Sequence, residues 1–401
     1  MSDLPATSPE VRLGQGAFLA LRLADVLAAD REPVAPDVFH YQWTATERYV
    51  AELVNEGTEA AHLNSIVQSA REAYRLSDPR LMIPALFAYV YYLENELHLE
   101  EALDVLETIL HVGGPRLEAK DAIAAHLRLG LVYRNLARFE EADAAYDEAE
   151  RLAERSGDRH AVLLSWVGRA IGLMRRGNLA ECQNRLEEIL ASAREGRDRD
   201  VEARAEHVMG NVFEHRGQWD RAAPHLWRAY ELFHDAKDRM RALGDLGVTM
   251  LKLGAVAEAE RALQEVARES RQQDSRLNAI VELMHCASFR RDRLSFERIR
   301  ATCEASAAEM PPNVLADFYL KAGIGYARFG NYRKAQLLME EALAVASANR
   351  LHEFEFRIER IKAGLGDCEE VAREGLQATA EPVLQTEALQ EVSASLALLG
   401  A

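Results

Sequence analysis

The chain has 401 residues, 48% hydrophobic and 28% charged, a composition with ample apolar surface for a folded protein and not that of a globally disordered one. A formal net charge of −17 opposes non-specific attraction to nucleic acid or anionic lipid, so neither is expected as a partner. Residues 1–10 carry acids and prolines where a secretory leader has a basic stretch and an apolar core, and the longest apolar run, 81–93, contains Pro84 and is too short to span about 30 Å of hydrocarbon.

Taken in chain order, residues 1–12 are expected to be irregular and 13–29 helical, with Pro33 and Pro36 punctuating the link that follows. A helix pair is read over 44–76, stopping at Asp78-Pro79 because proline disfavours helical backbone in the residue before it. Helix–turn–helix units follow at 83–112, 123–157, 163–196, 203–237 and 240–273, with Gly177, Gly217 and Gly254 at turns that need left-handed backbone. A degenerate unit covers 278–308, where Arg290-Arg291-Asp292-Arg293 replaces the glycine turn. Pro311-Pro312 then interrupts the rhythm before a strong unit at 314–349, turned at Gly330. Beyond it, 354–365 and 368–378 read as one more hairpin turned by Gly364-Leu365-Gly366, and Pro382 opens a last helix through Leu398, a C-terminal cap. Nothing alternates apolar and polar residues with a period of two for long enough to require a sheet, so the fold class is all-α. The expected division is a tail and helix at 1–43, a helix pair or capping repeat at 44–79, a repeat array at 80–349, and a terminal hairpin with a capping helix at 350–401. An elongated stack grows by local interfaces and needs no central core, so one continuous solenoid suits this length as well as two domains do.

The units share a ladder. A small-residue slot recurs at Ala102, Ala142, Cys182, Ala222, Ala259 and Ala335, in steps of 40, 40, 40, 37 and 76 residues. Twelve residues before four of these slots stand Gly130, Gly210, Gly247 and Gly323, each followed three residues later by a large side chain: Tyr133, Phe213, Met250 or Tyr326. Four and seven residues after the slot come Tyr146 and Ala149, Leu226 and Ala229, Leu263 and Val266, Met339 and Ala342. Small residues sit where two helices approach closely and large ones fill the gaps between hairpins. This pattern resembles the tetratricopeptide repeat, most clearly in Leu129-Gly130-Leu131-Val132-Tyr133 through Ala142 to Ala149 and in Ala322-Gly323-Ile324-Gly325-Tyr326 through Ala335 to Ala342. The unit of about 37–40 residues exceeds the family's usual 34, as in its signalling-type members, and the family's frequent proline ending the second helix is missing. The resemblance implies a right-handed superhelical solenoid of antiparallel hairpins.

Searches for chemistry find no phosphate-binding loop, His-Glu-x-x-His helix, Gly-x-Ser-x-Gly elbow or calcium loop, and no carboxylate pair stands out as acid and base. Gly14-Gln15-Gly16 and His111-Val112-Gly113-Gly114 lack a preceding strand and read as turn chemistry. Cys182, Cys286, Cys303 and Cys368 are widely spaced and make no Cys-x-x-Cys pair, so reduced thiols in a cytoplasmic protein are expected. His285-Cys286 is the one tempting pair, but neighbours on a helix point about 100° apart. His207 and His215 are about 12 Å apart along a helix axis, too far for one metal. No cofactor, no metal and no catalytic reaction are expected.

In the resembled family the first helix of each hairpin lines the concave surface, and positions six and three before the glycine and one, four and five after it look inward. Carried onto this chain, the groove presents Phe87, Tyr91 and Asn95; Leu127, Leu131, Arg134 and Asn135; Val167, Ile171, Met174 and Arg175; Arg204, His207, Asn211, Glu214 and His215; and Arg241, Val248, Leu251 and Lys252. The polar contacts expected to hold a partner are Tyr91, Asn95, Arg134, Asn135, Arg175, Arg204, His207, Asn211, Arg241 and Lys252. Arginine forks suit a carboxylate and asparagine suits an extended backbone, so the expected partner is a peptide or protein segment with apolar side chains and an acidic group. The alternative is that these arginines pair with Glu or Asp of the adjacent hairpin while Leu127, Val167 and Ile171 serve as interhelix core. The family's clamp for acidic C-terminal peptides is not reproduced: Asn211 fills one of its places, but Leu127, Leu131 and Gly244 occupy others. Two functions follow, a non-catalytic peptide-binding scaffold, or a sensory protein of a bacterial signalling system that switches conformation on binding a peptide and acts on a separate output protein. Residues 378–401 are where a homodimer through a terminal hairpin is expected.

Overall fold

The computed structural model describes residues 8–28, 34–373 and 386–399, and among these all regular structure is helical. The chain divides into two compact units, residues 1–181 and 182–401. Each is a stack of antiparallel hairpins.

The first unit holds α1 (Pro9–Val26), α2 (Pro36–Glu52), α3 (Thr58–Leu76), α4 (Ile83–Asn95), α5 (Leu99–Gly113), α6 (Ala119–Asn135), α7 (Phe139–Ser156) and α8 (Arg159–Arg175). Two expectations are corrected at its start. Helix α1 begins inside the stretch read as irregular, and α2 begins at Pro36, well before residue 44. Pro9 and Pro36 each sit at the first helical position, where a fixed φ suits the helix and the missing N–H would have been unsatisfied anyway. Helix α1 packs on α2, α3 and α5, so Ala20 and Leu23 share a core with Phe39, Trp43, Leu53 and Leu63. Trp43 Nε1 donates to Val67 O at 2.9 Å.

Helix α9 (Leu179–Gly196) contains the unit boundary in its first turn. The second unit continues with α10 (Arg199–His215), α11 (Trp219–Leu232), α12 (Ala236–Lys252), α13 (Val256–Glu269), α14 (Gln273–Phe289), α15 (Arg293–Ala305), α16 (Pro312–Arg328), α17 (Tyr332–Ala348), α18 (His352–Arg373) and α19 (Glu387–Leu396). First helices start a turn earlier than the apolar periodicity predicts, because the opening turn is polar and capped. Asp158 accepts from Ala161 N at 3.0 Å, Asp198 from Val201 N at 3.2 Å and Asp235 from Lys237 N at 2.9 Å. The glycine turns are as expected, with Gly217 at φ 69° and Gly254 at φ 81°; in the degenerate unit Arg291 takes φ 56° in place of glycine.

All six slot residues are at most 3% exposed. The marker glycines face the large residue four places after the slot: a Cβ on Gly130 would lie 2.6 Å from the Tyr146 ring, and one on Gly247 2.8 Å from Leu263. The double step of 76 hides a missed rung. Phe296, 37 residues after Ala259 and 39 before Ala335, fills the slot and is fully buried. Its bulk is taken up by Gly325 on the next hairpin, where a Cβ would lie 2.3 Å from the ring.

The C-terminal region departs from expectation. Helix α18 runs unbroken through Gly364-Leu365-Gly366, so no hairpin turns there. Each helical glycine costs about 1 kcal/mol relative to alanine, which the surrounding helix-forming residues tolerate. Residues 374–385, including Ala378 and Pro382, lie outside the described residues. Helix α19 does not prolong the stack after α18. It packs against the second helices α11 and α13, burying Leu389, Val392 and Leu396, with Ser393 Oγ donating to Glu258 Oε1 at 2.9 Å.

Replacing Gly325 with alanine overpacks the Phe296 site and is expected to cost about 1–3 kcal/mol. Urea denaturation should show the loss, and Phe296→Leu in the Gly325→Ala background should recover part of it; no loss would mean that the ring moves freely.

Candidate functional site

In the first unit, the last turns of α6 and α8 come together around Tyr146 of α7. Its ring lies between Gly130 and Gly168, where added Cβ atoms would stand 2.6 and 2.3 Å away. Arg134 Nη1 donates to the Tyr146 hydroxyl at 3.0 Å and to Gly168 O at 3.3 Å, and Arg175 Nη1 donates to Arg134 O at 3.2 Å. Arg134 is 8% exposed, and its Nε is buried with no hydrogen-bond partner. Neither arginine pairs with a carboxylate among the described residues, and the pKa of Arg175 is lowered, first by desolvation and then by the Arg134 cation. Burial raises the Tyr146 pKa despite both cations, so its hydroxyl stays protonated.

The other expected residues of this unit lie on the same first helices. Tyr91 is exposed beneath Arg128, whose guanidinium lies 4.3 Å from the ring centre and pairs with Glu94 at 2.7 Å. Asn95 and Asn135 are exposed at the ends of α4 and α6. Val167 is buried, and Leu127 packs against Ile123, Ala153 and Ala161, so these two are interhelix core.

In the second unit the expected cations are paired. Arg204 meets Asp200 at 2.9 Å and Asp238 at 3.6 Å, and Arg241 meets Asp238 at 2.9 Å. Burial works against the Arg204 charge, but these acids outweigh it and raise its pKa. His207 is buried with Nε2 2.7 Å from Asp245 Oδ2, and Lys252 lies 3.7 Å from Glu214. Asn211 is half-buried.

A cleft of about 710 Å³ opens between α12, α14, α16 and α18 of this unit. Val248, Leu251, Phe289, Val314 and Phe354 give it apolar walls, and Asn278 and Asn313 add amides. Its floor is ionic: Lys321 Nζ bonds both Glu282 and Asp317, all three side chains being more than nine-tenths buried. Asp317 Oδ1 is left without a hydrogen bond, and Arg357 Nη2 lies 3.6 Å from it. An unsatisfied buried acceptor costs about 1–3 kcal/mol, and more when charged. His285 is held neutral, its pKa driven far down by burial and then by the Arg328, Lys321 and Arg357 cations. Arg328 Nη1 lies 3.4 Å from His285 Nδ1, which makes that nitrogen an acceptor and puts the proton on Nε2. Arg328 stacks 3.5 Å from the Phe289 ring centre and donates to Ser288 Oγ at 2.7 Å, and burial pulls its pKa down to about 10.

Glu282, Asp317 and Lys321 were not anticipated. With Met284 standing where other hairpins have the marker glycine, Glu282 and Lys321 occupy the same place in consecutive hairpins, two residues before the mark. Asp245 holds that place in α12. A row of charges at one register position was the available signal.

The Cys286 and Cys303 thiols are poor nucleophiles: burial pushes their pKa values up to about 12. His285 lines the cleft while Cys286 belongs to the apolar core, so the two do not converge. Among the described residues no three His, Cys, Asp or Glu are placed to hold a metal ion, and no helix is long and apolar enough to cross a membrane.

No family model matches this sequence, and no curated protein matches it. Solved structures do. The apo quorum sensor NprR from B. thuringiensis is 13% identical, with 84% of this chain and 98% of that one covered at a TM-score of 0.53. The Rap conjugation gene regulator of plasmid pLS20, solved with the Phr* peptide, is 12% identical over 83% of this chain and 97% of its own, at 0.50. Apo RapI is 10% identical over 67% and 98%, also at 0.50. At such identities the likeness shows the fold, and the fold is a helical solenoid of tetratricopeptide type.

Burial raises the Glu214 pKa against the opposing pull of Thr249 and Lys252, so its folded value lies above its unfolded one. Its contribution to stability is full below the unfolded value and is lost as pH rises through the folded value. Glu214→Gln should therefore gain stability relative to the parent chain as pH rises above the ordinary glutamate value of about 4.5, and thermal melts showing a constant difference would contradict this.

Proposed function

We propose that this protein is a cytoplasmic, non-catalytic peptide receptor that holds a short segment on the inner face of its first helices. The observation that carries this is the cleft between α12, α14, α16 and α18, open, apolar on its walls and amide-bearing, with a buried ionic floor. Such a surface offers side-chain pockets and backbone hydrogen bonds together. The likeness in fold to a regulator solved with its Phr* peptide supports the reading. So do the inert thiols of Cys286 and Cys303.

On the first unit by itself, an acidic group is assigned to Arg134 and Arg175, two adjacent cations that no carboxylate among the described residues neutralises, on a chain of net charge −17. A carboxylate there would relieve their repulsion and form charge-assisted hydrogen bonds. Tyr91, Asn95 and Asn135 are proposed contacts of the first unit by itself, and Arg204, His207, Asn211, Arg241 and Lys252 are those of the second. The paired cations among them contribute less than Arg175.

A regulatory role is favoured by the likeness to the quorum sensor NprR. In this form the peptide shifts the protein between two conformations of unequal affinity, and one of them acts on a separate output protein. Small-angle scattering with and without a bound peptide tests it; identical profiles would count against a switch.

Heptapeptides selected from a random library on the full chain should bind saturably by calorimetry. Arg175→Ala should weaken acidic binders about tenfold or more, the scale of a lost charged hydrogen bond, with the circular dichroism spectrum unchanged. The Arg204→Ala/Arg241→Ala pair should lose less. Unaltered affinity in Arg175→Ala would remove the acidic-group assignment.

A further inference from the structure

At the floor of the second-unit cleft two buried carboxylates meet one buried ammonium. Glu282 and Asp317, 4% and 6% exposed, share the single ammonium of Lys321, itself 6% exposed. Burial lowers the Lys321 pKa, but the two carboxylates outweigh it and keep the ammonium charged. Lys321 engages Asp317 Oδ2 and leaves Oδ1 enclosed without a donor. The other charged groups nearby do not donate to it. His285 is neutral, Lys252 is held by Glu214, Asp274 is an acid, and Arg328 is turned to Ser288 and the Phe289 ring. Arg357 of α18 is half-exposed, and its Nη2 stands 3.6 Å from Oδ1, within ion-pair range but too far for a hydrogen bond.

We propose that this floor binds a cationic nitrogen of the peptide ligand, either a lysine or arginine side chain or a free amino end. The proposal rests on the peptide-receptor reading of the same cleft. A ligand N–H would supply the donor that Asp317 Oδ1 lacks, as a charge-assisted hydrogen bond. Val248, Leu251 and Val314 offer apolar surface for the methylene stem of a long basic side chain. Arg357, reaching in from the rim, acts as a weak internal stand-in that the ligand displaces.

The test uses the full chain and heptapeptides selected on it from a random library. Each peptide is measured by calorimetry as selected, with its amino end acetylated, and with its basic side chain replaced by norleucine. One of the two neutralisations, which identifies the source of the nitrogen, is expected to weaken binding at least tenfold. Asp317→Asn should weaken the unmodified peptide equally and add nothing to the loss of the neutralised one, while Arg357→Ala should leave affinity unchanged or raise it. Selected peptides that tolerate both neutralisations, losses that simply add, or an Arg357→Ala loss matching that of Asp317→Asn would overturn the cation site and leave the receptor reading standing. A library that yields no binder would end the receptor reading and the cation site with it. If melting shows that Asp317→Asn does not fold, Glu282→Gln carries the same cycle.

Discussion

The stack depends on large side chains entering spaces that glycine keeps open on neighbouring first helices. Tyr146 lies against both Gly130 of its own hairpin and Gly168 of the next, and Phe296 reaches Gly325 in the same way. Each hairpin thereby buries its apolar surface against the adjacent one, and no central core is needed. The inner side of the first helices is released from packing duty. It can carry charge, amides and open volume without dismantling the fold, and this freedom puts a cleft between α12, α14, α16 and α18.

The same arrangement decides which charges are neutralised. Most inward cations find an acid one hairpin away or one turn away: Arg204 and Arg241 share Asp238, and Lys252 reaches Glu214. Arg134, Arg175 and Arg328 differ in having backbone, hydroxyl, imidazole or ring partners. All three lie in the last turn of a first helix, where the helix dipole favours a cation by about 0.3–1 kcal/mol. For Arg328 this does not offset desolvation, since its pKa is lowered to about 10.

The fold was legible because close approach between helices constrains residue size at fixed spacing. Gly130 and Ala142, or Gly247 and Ala259, record that constraint directly. Phe296 broke the ladder because its space is supplied by Gly325, 29 residues later, so size at one position said nothing without its partner. Helix starts at Arg159 and Arg199 escaped an apolar-periodicity reading because caps and polar first turns carry no such period. The Gly364-Leu365-Gly366 segment misled in the opposite sense, since glycine permits a turn without requiring one. Of the expected contact residues, the placement on first helices was legible and the pairing state was not. Whether Arg134 or Arg204 has an acid beside it depends on the neighbouring hairpin's register. Glu282 and Lys321 were missed because they lie two residues before the mark, outside the positions taken from the resembled family; Asp317 lies six before Gly323, at one of those positions, in a hairpin to which they were not carried.

That floor is poorly explained as a device for stability. Replacing a buried ion triad with apolar residues of similar size is often neutral or stabilising, whereas losing one member costs about 3–5 kcal/mol. The stack itself has no need of charge at this position: Val208 of α10 occupies it and is buried. Asp245, Glu282 and Lys321 hold the same place in the next three hairpins, and the last two meet at the bottom of the cleft with Asp317 left one donor short. A site that is costly to the free protein, dispensable to its neighbours and open to a 710 Å³ cleft is one whose completion comes from outside the chain. Binding energy gained there is conditional on the right donor, which turns an electrostatic deficit into selectivity between ligands.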